Sequence, residues 1–330
     1  MLVLAKSVLA MMMGFISSAI FGLMMIPVLK KLKAGQKINT FLESKHKKKE
    51  GIPTMGGIIF IIPTLLVTLF LLLTNKIQYS SNLLIVLIVF VSYGLLGFVD
   101  DFLSIKKKKN EGLTVIQKLI GQLLISILFF IIFIKNGGQT TLSIYTLGIE
   151  LDMGYIYGAF ILFVLIASSN AVNLTDGLDG LAGGLSVMAF LAFALISYGS
   201  TWVSGYDDIA IFSFILVGSL MGFLLYNTYP AKIFMGDTGS LSLGGTLAAI
   251  AIITNHELTL VLVAGVFVIE TLTCIIQVIS GRFFGKRVFL MAPLHHHFEK
   301  LGWEERDVVK LFWTAGLIFS MAAIGFGVWI

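Results

Sequence analysis

The sequence predicts an all-α, polytopic integral membrane protein with about ten transmembrane helices, forming one domain over residues 1–330. Composition supports this class, because 57% of the residues are hydrophobic and only 12% are charged, whereas soluble domains are about one-quarter charged. Apolar stretches of about the 20 residues that cross a bilayer also recur along the whole chain. Because lipid cannot hydrogen-bond to exposed peptide groups, such stretches must form helices.

The predicted spans are separated by short segments that carry charges and turn residues. In chain order the spans cover 7–29, 55–74, 82–103, 115–134, 155–172, 180–198, 208–226, 239–254, 258–279 and 308–330. The segment 137–154 alternates Thr, Leu, Ile and Tyr around Gly148, which predicts a small outer hairpin. The segment 280–307 mixes basic, aromatic and His residues and predicts an interfacial amphipathic helix. The one cysteine, Cys274, excludes an intrachain disulfide, and we expect it to be buried as a small hydrophobe.

The distribution of basic residues predicts the orientation. Of the 23 Lys and Arg residues, 20 lie in or beside the loops after odd-numbered spans, and only Lys6, Lys76 and Lys135 lie at the other side. The positive-inside rule therefore places those loops in the cytoplasm and both termini outside. Topology and contact with anionic lipids alone would explain most of these lysines individually.

Two adjacent carboxylates end the third predicted span, at Asp100 and Asp101. Desolvation and like-charge repulsion both oppose ionised carboxylates at a lipid boundary. A divalent cation or a proton-transfer task would explain their presence. The alternative is a solvated pair of boundary charges balanced by the run of lysines at 106–109.

A glycine-rich turn, NLTDGLDG at 173–180, joins the fifth and sixth predicted spans. It carries Asn173, Asp176 and Asp179, and it opens a helix whose free N–H groups can bind an anion such as phosphate. Acids beside a phosphate indicate a bound Mg²⁺ or a nucleobase and ribose. Helix capping by the aspartates alone is the alternative.

Two further motifs hold candidate polar residues. Asp237 in FMGDTGS opens another helix, where it can cap the helix or bind a hard cation, with Asn227 and Lys232 preceding it on the same face. The consecutive histidines 295–297 do not have zinc spacing and suit separate hydrogen bonds to phosphate, although they could instead pack the loop. Within the ninth span, Gln277 is the better functional candidate and Glu270 is the more structural one.

Taken together, the motifs resemble the polyprenyl-phosphate N-acetylhexosamine-1-phosphate transferases. The matching stretches are GIPTMGG (51–57), FVDDF (98–102), GLTVIQK (112–118), NAVNLTDGLDGLAGG (170–184), YNTYPAKIFMGDTGSLSLGG (226–245) and PLHHHFE (293–299). The combination of PTMGG with HHHFE resembles the branch that acts on UDP-N-acetylmuramoyl-pentapeptide and undecaprenyl phosphate.

The resemblance implies the first membrane step of peptidoglycan synthesis, which gives lipid I and UMP. It also implies ten transmembrane helices, Mg²⁺, a homodimer, a bacterial plasma membrane location and a cytoplasmic site, with no nucleic acid partner. Two rival functions are a transferase for another UDP-N-acetylhexosamine and an ion-coupled transporter with Asp100 and Asp176 in its ion path. The transporter is disfavoured because the polar residues cluster at the predicted cytoplasmic ends rather than at the midplane.

The same resemblance implies roles for individual residues. Asp237 is the leading Mg²⁺ ligand, and Asp100, with Asp101 beside it, is a base or a positioning group for the lipid phosphate. Both direct attack and an aspartyl-phosphate route would use these carboxylates, and we favour direct attack. Phosphate contacts are expected from Lys118 with His296 or His297, and Phe234 is expected to stack on uracil. The other expected substrate-binding residues are Lys49, Thr54, Asn173, Asp176, Gly177, Asp179, Asn227, Gly236, Gln277 and His295.

Overall fold

The computed structural model describes residues 2–32, 49, 51–107, 112–144, 148–199 and 206–326. These residues form helices α1 (Leu2–Lys31), α2 (Ile58–Leu73), α3 (Ser81–Lys107), α4 (Val115–Lys135), α5 (Ile156–Thr175), α6 (Leu181–Gly199), α7 (Asp207–Asn227), α8 (Gly236–Ile253), α9 (Glu257–Val263), α10 (Gly265–Phe284), α11 (Leu294–Lys300) and α12 (Glu305–Ile324). The fold class predicted from the sequence is confirmed. The predicted basic segment 36–50 lies outside the described residues except for Lys49, as do Lys108 and Lys109.

Within the described ranges, nine helices are long and apolar enough to cross a membrane. The second predicted span corresponds to α2, which is apolar but has only 16 residues. The ninth predicted span is wrong as a single helix, because the chain breaks at Ala264 between α9 and α10. Hydropathy does not reveal such a break, since apolar residues predominate on both sides of it.

The central helix of the bundle is α8. Every residue from Thr238 to Ile253 is buried, so this helix is enclosed on all sides by α3, α5 and other helices. Glycines permit that close approach, because a Cβ atom at Gly244 would lie 2.4 Å from the Ser168 carbonyl oxygen. The central position of α8 fixes the place of Asp237 in its first turn.

The predicted hairpin is confirmed as two antiparallel strands, β1 (Thr141–Ile144) and β2 (Ile149–Asp152). Thr141 pairs with Asp152, and Gly148 before β2 has a φ of 62°, which favours glycine. The intervening residues 145–147 lie outside the described part of the chain. A short helix, α11, forms within the loop 280–307 where an amphipathic helix was expected. Cys274 is half-buried on α10, so the expectation of full burial was wrong.

Candidate active site

Asp237 lies at the centre of a polar cluster that joins four helices. Its Oδ1 accepts a 2.7 Å hydrogen bond from Asn173 Nδ2 on α5, and its Oδ2 is paired with the Lys118 ammonium on α4. Lys118 Nζ also lies 4.0 Å from Asp100 Oδ2 on α3. One ammonium therefore lies between two carboxylates that come from residues far apart in the sequence.

The loop after α3 positions both Asp100 and Lys118. The Asp100 Oδ1 atom accepts a 2.9 Å hydrogen bond from the Leu113 backbone N–H. Thr114 and Gln117 then form a reciprocal capping box at the start of α4, which places Lys118 in the first turns of that helix. The side chains of Asp100, Lys118 and Asp237 are 14–21% exposed, so all three remain accessible to a substrate.

Asp101 has different surroundings from its neighbour. It is 5% exposed, and its Oδ2 accepts hydrogen bonds from Thr238 N at 3.0 Å and Thr238 Oγ1 at 2.6 Å. Its Oδ1 accepts a longer bond of 3.3 Å from Asp237 N. Asp101 therefore caps the N-terminus of α8 from another helix, which is favourable because free N–H groups and the helix dipole meet a carboxylate there.

The turn into α8 requires glycine at position 236. Gly236 has a φ of 71°, and a Cβ atom there would lie 2.6 Å from both Asp101 Oδ2 and Thr54 Oγ1. Residues 53–57 run beside this turn, since Phe234 N donates to Pro53 O at 2.9 Å and Gly56 N donates to Phe234 O at 2.8 Å. The PTMGG motif thus fixes, through backbone hydrogen bonds, the position of the segment that contains Phe234 and Asp237.

Asp176 ends α5 beside the same cluster. Burial, together with the charges of Asp237 and Asp101, raises the pKa of Asp176 to about 8. The carboxyl group of Asp176 therefore binds a proton more readily than an ordinary aspartate, and in its protonated form it donates a hydrogen bond. Its neighbour Gly177 leaves space for the His295 ring, whose Nε2 would lie 2.3 Å from a Cβ atom at position 177.

The three consecutive histidines have three different sets of contacts. His295 is fully buried, with its Nδ1 atom 3.2 Å from Glu270 Oε1. His296 Nδ1 lies 2.7 Å from Glu299 Oε2 and His297 Nδ1 accepts a 3.1 Å bond from Leu290 N. His295 thus contacts the NLTDGLDG turn, whereas His297 stabilises the loop that precedes α11 through its bond with Leu290.

Gln277 holds the loop after α10. Its Nε2 donates to Phe289 O at 3.0 Å, and its Oε1 accepts from Val288 N at 3.1 Å and Phe289 N at 3.0 Å. The side-chain amide is therefore engaged by backbone groups of this loop. The substrate contact expected of Gln277 stays a prediction.

A second cluster lies on the Phe234 side of the site. Lys49 Nζ donates to Asp179 Oδ1 at 2.7 Å and to Glu305 Oε1 at 2.6 Å, and it lies 6.0 Å from the centroid of the Phe234 ring. Nearby, the Asn227 amide donates to Ile233 O at 3.0 Å. The expected nucleotide-binding residues Lys49, Asp179 and Phe234 therefore lie together.

Sequence reasoning missed Glu305 altogether and missed the contact that Glu270 makes. Glu305 is the first residue of α12, where an acid is common for helix stability alone, so nothing in the local sequence distinguishes it. Glu270 was recognised as an intramembrane acid but was assigned only a structural part, and it contacts His295. An acid near the middle of the predicted span 258–279 was the sequence signal that pointed to a polar partner.

The carboxylates fit Mg²⁺ as oxygen donors. No group of three or more His, Cys, Asp or Glu side chains with metal-binding geometry occurs among the residues that the structure describes. Mg²⁺ usually binds one or two protein carboxylates and completes its shell with water and substrate phosphates. Asp237 and Asp100, which face one ammonium, meet that requirement in number and kind.

Comparisons with known proteins agree with the motifs. Residues 83–255 match the family model Glycosyl transferase family 4, and residues 49–61 match Phospho-N-acetylmuramoyl-pentapeptide-transferase signature 1. The chain is 47% identical to the phospho-N-acetylmuramoyl-pentapeptide-transferase of Halalkalibacterium halodurans and 48% identical to that of a Geobacillus species, each over 98% of both chains. It is 46% identical to that of Bacillus subtilis over 97% of both chains. Because these matches extend over nearly the whole length of a multi-pass membrane protein, the chain belongs to the phospho-N-acetylmuramoyl-pentapeptide-transferase family.

Proposed function

We propose that the protein transfers phospho-N-acetylmuramoyl-pentapeptide from UDP to undecaprenyl phosphate, giving lipid I and UMP, with Mg²⁺ as cofactor. The observation that carries this proposal is the Asp100–Lys118–Asp237 cluster, which lies at the ends of membrane helices beside a second cluster around Phe234. A lipid phosphate at headgroup level and a nucleotide from water can meet only at such a membrane edge. This reaction would be the first membrane step of peptidoglycan synthesis.

In this mechanism a phosphate oxygen of the acceptor attacks the phosphorus that bears the sugar. A new phosphorus–oxygen bond forms, and the bond from that phosphorus to the bridging oxygen breaks, so UMP leaves with the electron pair. Such a transfer requires alignment and charge neutralisation more than covalent help from the protein. Direct attack in one step is therefore our proposal, rather than an aspartyl-phosphate intermediate.

The chain supplies charge and position at each end of the reacting group. Lys118 provides a fixed positive charge for the pyrophosphate, and Asp237 would hold Mg²⁺, which would neutralise charge on the leaving UMP. Asp100 positions the acceptor phosphate or accepts its remaining proton. Because a phosphate monoester has a second pKa of about 6, much of the acceptor is already a dianion, and positioning is the larger part of this role.

The remaining predicted residues suit the two substrates. Phe234 would stack on uracil, with Lys49, Asn173, Asp176 and Asp179 around the nucleotide. Asp176, whose pKa is raised by burial, would offer a hydrogen bond to a nucleotide oxygen from its protonated form. The list of proposed substrate contacts is completed by Thr54, Gly177, Asn227, Gly236, Gln277, His295, His296 and His297.

The site is proposed to face the cytoplasm of a bacterial plasma membrane. The basic loops support this orientation, because Lys and Arg are enriched on the cytoplasmic side of membrane proteins. The hairpin would then lie outside. The homodimer remains a proposal that rests on the family resemblance.

The test is UMP release by the purified protein in detergent with UDP-N-acetylmuramoyl-pentapeptide, undecaprenyl phosphate and Mg²⁺. We expect UMP only when all three are present, and no release from Asp237→Ala at an unchanged unfolding temperature. Normal turnover by Asp237→Ala would contradict the assignment of this residue. UMP release from UDP-N-acetylglucosamine instead would assign the protein to a related sugar-nucleotide transferase.

A further inference from the structure

Three segments that are distant in sequence meet at the Lys49 ammonium. Lys49 is 13% exposed, Asp179 is 2% exposed and Glu305 is 10% exposed, so this ion-paired group is largely removed from water. The two bonds join residues that are 130 and 256 positions apart. Burial alone would lower the pKa of Lys49, but the facing carboxylates of Glu305 and Asp179 raise it, so the lysine stays charged.

Glu305 connects this ion pair to the backbone of the site. Its Oε1 accepts from Lys49 Nζ at 2.6 Å and also from the Asp179 backbone N–H at 2.8 Å. Asp179 in turn accepts a 2.9 Å bond from Ala231 N through its Oδ2 atom. Glu305 therefore links the start of α12 to the NLTDGLDG turn and, through Asp179, to the segment that leads to Phe234.

The arrangement leaves Lys49 able to bind one more acceptor. An ammonium has three N–H donors, and two of them are directed at carboxylates of the described residues. The ammonium also lies 6.0 Å from the Phe234 ring centroid, so an aromatic base stacked on that ring would place its carbonyl oxygens near Lys49. Holding the ammonium in one place reduces the ordering that a ligand must otherwise impose.

We propose that Glu305 is a positioning residue for the nucleotide end of the site, acting through Lys49 and the Asp179 turn. Its contacts are with Lys49 and the Asp179 backbone, whereas the reacting phosphates are proposed to bind at the separate cluster around Asp237 and Lys118. The ligand class is a pyrimidine nucleotide, and in this respect the inference rests on the proposed function. Loss of Glu305 should therefore weaken binding of the nucleotide and leave binding of the lipid unchanged.

The experiment compares Glu305→Ala and Glu305→Gln with the matched control Glu304→Ala. Glu304 is adjacent, and its side chain is 68% exposed and pairs with Arg306 at 3.0 Å, while its backbone carbonyl, which alanine keeps, accepts the first bonds of α12. UMP affinity is measured by equilibrium binding in detergent, and KM is measured separately for each substrate.

A charge-assisted hydrogen bond corresponds to roughly a tenfold change in affinity. Glu305→Ala should therefore lower the affinity for UMP and raise the KM for the nucleotide substrate by about that factor. The KM for undecaprenyl phosphate should stay within about twofold, because the Asp237 cluster is intact. Glu305→Gln should have a smaller effect, since its amide oxygen still accepts from Asp179 N. Adding Glu305→Ala to Lys49→Ala should cause little further loss, because residues that act as one unit are not additive.

Two outcomes would overturn the inference alone. One is wild-type UMP affinity in Glu305→Ala, matching the Glu304→Ala control. The other is an equal rise in both KM values together with a lower unfolding temperature, which would show a general structural role. If the wild-type protein neither binds UMP nor releases it, the proposed function fails first, and that result is visible before any variant is tested.

Discussion

At the scale of single residues, the site is defined by contacts that leave no room for an extra methyl group. Gly177 follows Asp176, and the His295 ring lies against its Cα. His295 cannot easily retreat, because it is fully buried and its backbone N–H donates to Glu270 Oε1 at 3.2 Å. The small side chain at position 177 is therefore required by space in addition to any flexibility of the turn.

Gly177→Ala is accordingly expected to displace His295 and to lower kcat by about 10²-fold, the loss that a misplacement near 1 Å typically causes. The matched control is Gly281→Ala on α10, where an added Cβ atom meets nothing within 4 Å. UMP release by the two variants checks the prediction. Equal activities for them would show that the His295 contact is irrelevant to turnover.

At the scale of elements, one helix depends on a carboxylate from another. The N-terminal N–H groups of α8 are capped by Asp101 on α3. The N-cap residue of α8 itself, Met235, makes no capping hydrogen bond with its side chain. Two neighbouring aspartates thus have separate parts, because Asp100 faces Lys118 while Asp101 faces the helix end. The sequence motif alone does not separate them, since two adjacent residues of the same type carry no local signal for which helix each one faces.

We therefore expect Asp101→Asn and Asp100→Asn to differ in stability. An amide NH₂ group at position 101 would face the N–H donors of Asp237 and Thr238, and leaving them without a full acceptor costs about 1–3 kcal/mol. Asp100→Asn keeps an oxygen for the Leu113 N–H, so its unfolding temperature should stay near that of the wild type.

Thermal unfolding in detergent, with UMP release measured in parallel, checks this pair. Both variants should lose activity, but only Asp101→Asn should unfold earlier, by about 1–4 °C, because about 1 kcal/mol shifts the midpoint by roughly 1–2 °C in a chain of this length. Identical unfolding temperatures for the two variants would contradict the capping role.

The helices themselves could be predicted because each apolar stretch must satisfy its peptide groups within lipid. The break at Ala264 could not, because apolar residues lie on both sides of it and no proline or charged residue marks it. The sequence motifs could suggest which residues belong to the site, but they could not show which of these residues bond to one another. The bonds from Lys49 to Asp179 and Glu305 depend on how α12 packs beside the α5–α6 turn, and no local pattern encodes that packing.

At the scale of the whole molecule, the candidate site and a group of basic residues lie at the same end of the helix bundle. The Asp237 cluster, the Lys49 cluster and the basic residues Lys106, Lys107 and Lys232 are all located where α3, α5 and α7 end and α4, α6 and α8 begin. The hairpin and Asn136 lie at the ends of the connecting helices that point away from the site. This polarity is what permits a water-soluble nucleotide and a membrane lipid to reach one set of residues.

The polarity also makes the orientation testable with thiol labelling in a Cys274→Ser background, since this removes the only native cysteine. Asn136 and Lys232 are both exposed and belong to opposite ends of the bundle. If the basic end faces the cytoplasm, a membrane-impermeant maleimide should label Asn136→Cys in intact cells and Lys232→Cys only after the membrane is opened. Each variant must first release UMP at the wild-type rate, so that labelling reports a native fold. Labelling of Lys232→Cys in intact cells, with protection of Asn136→Cys, would invert the topology and remove the nucleotide site from the compartment that holds its substrate.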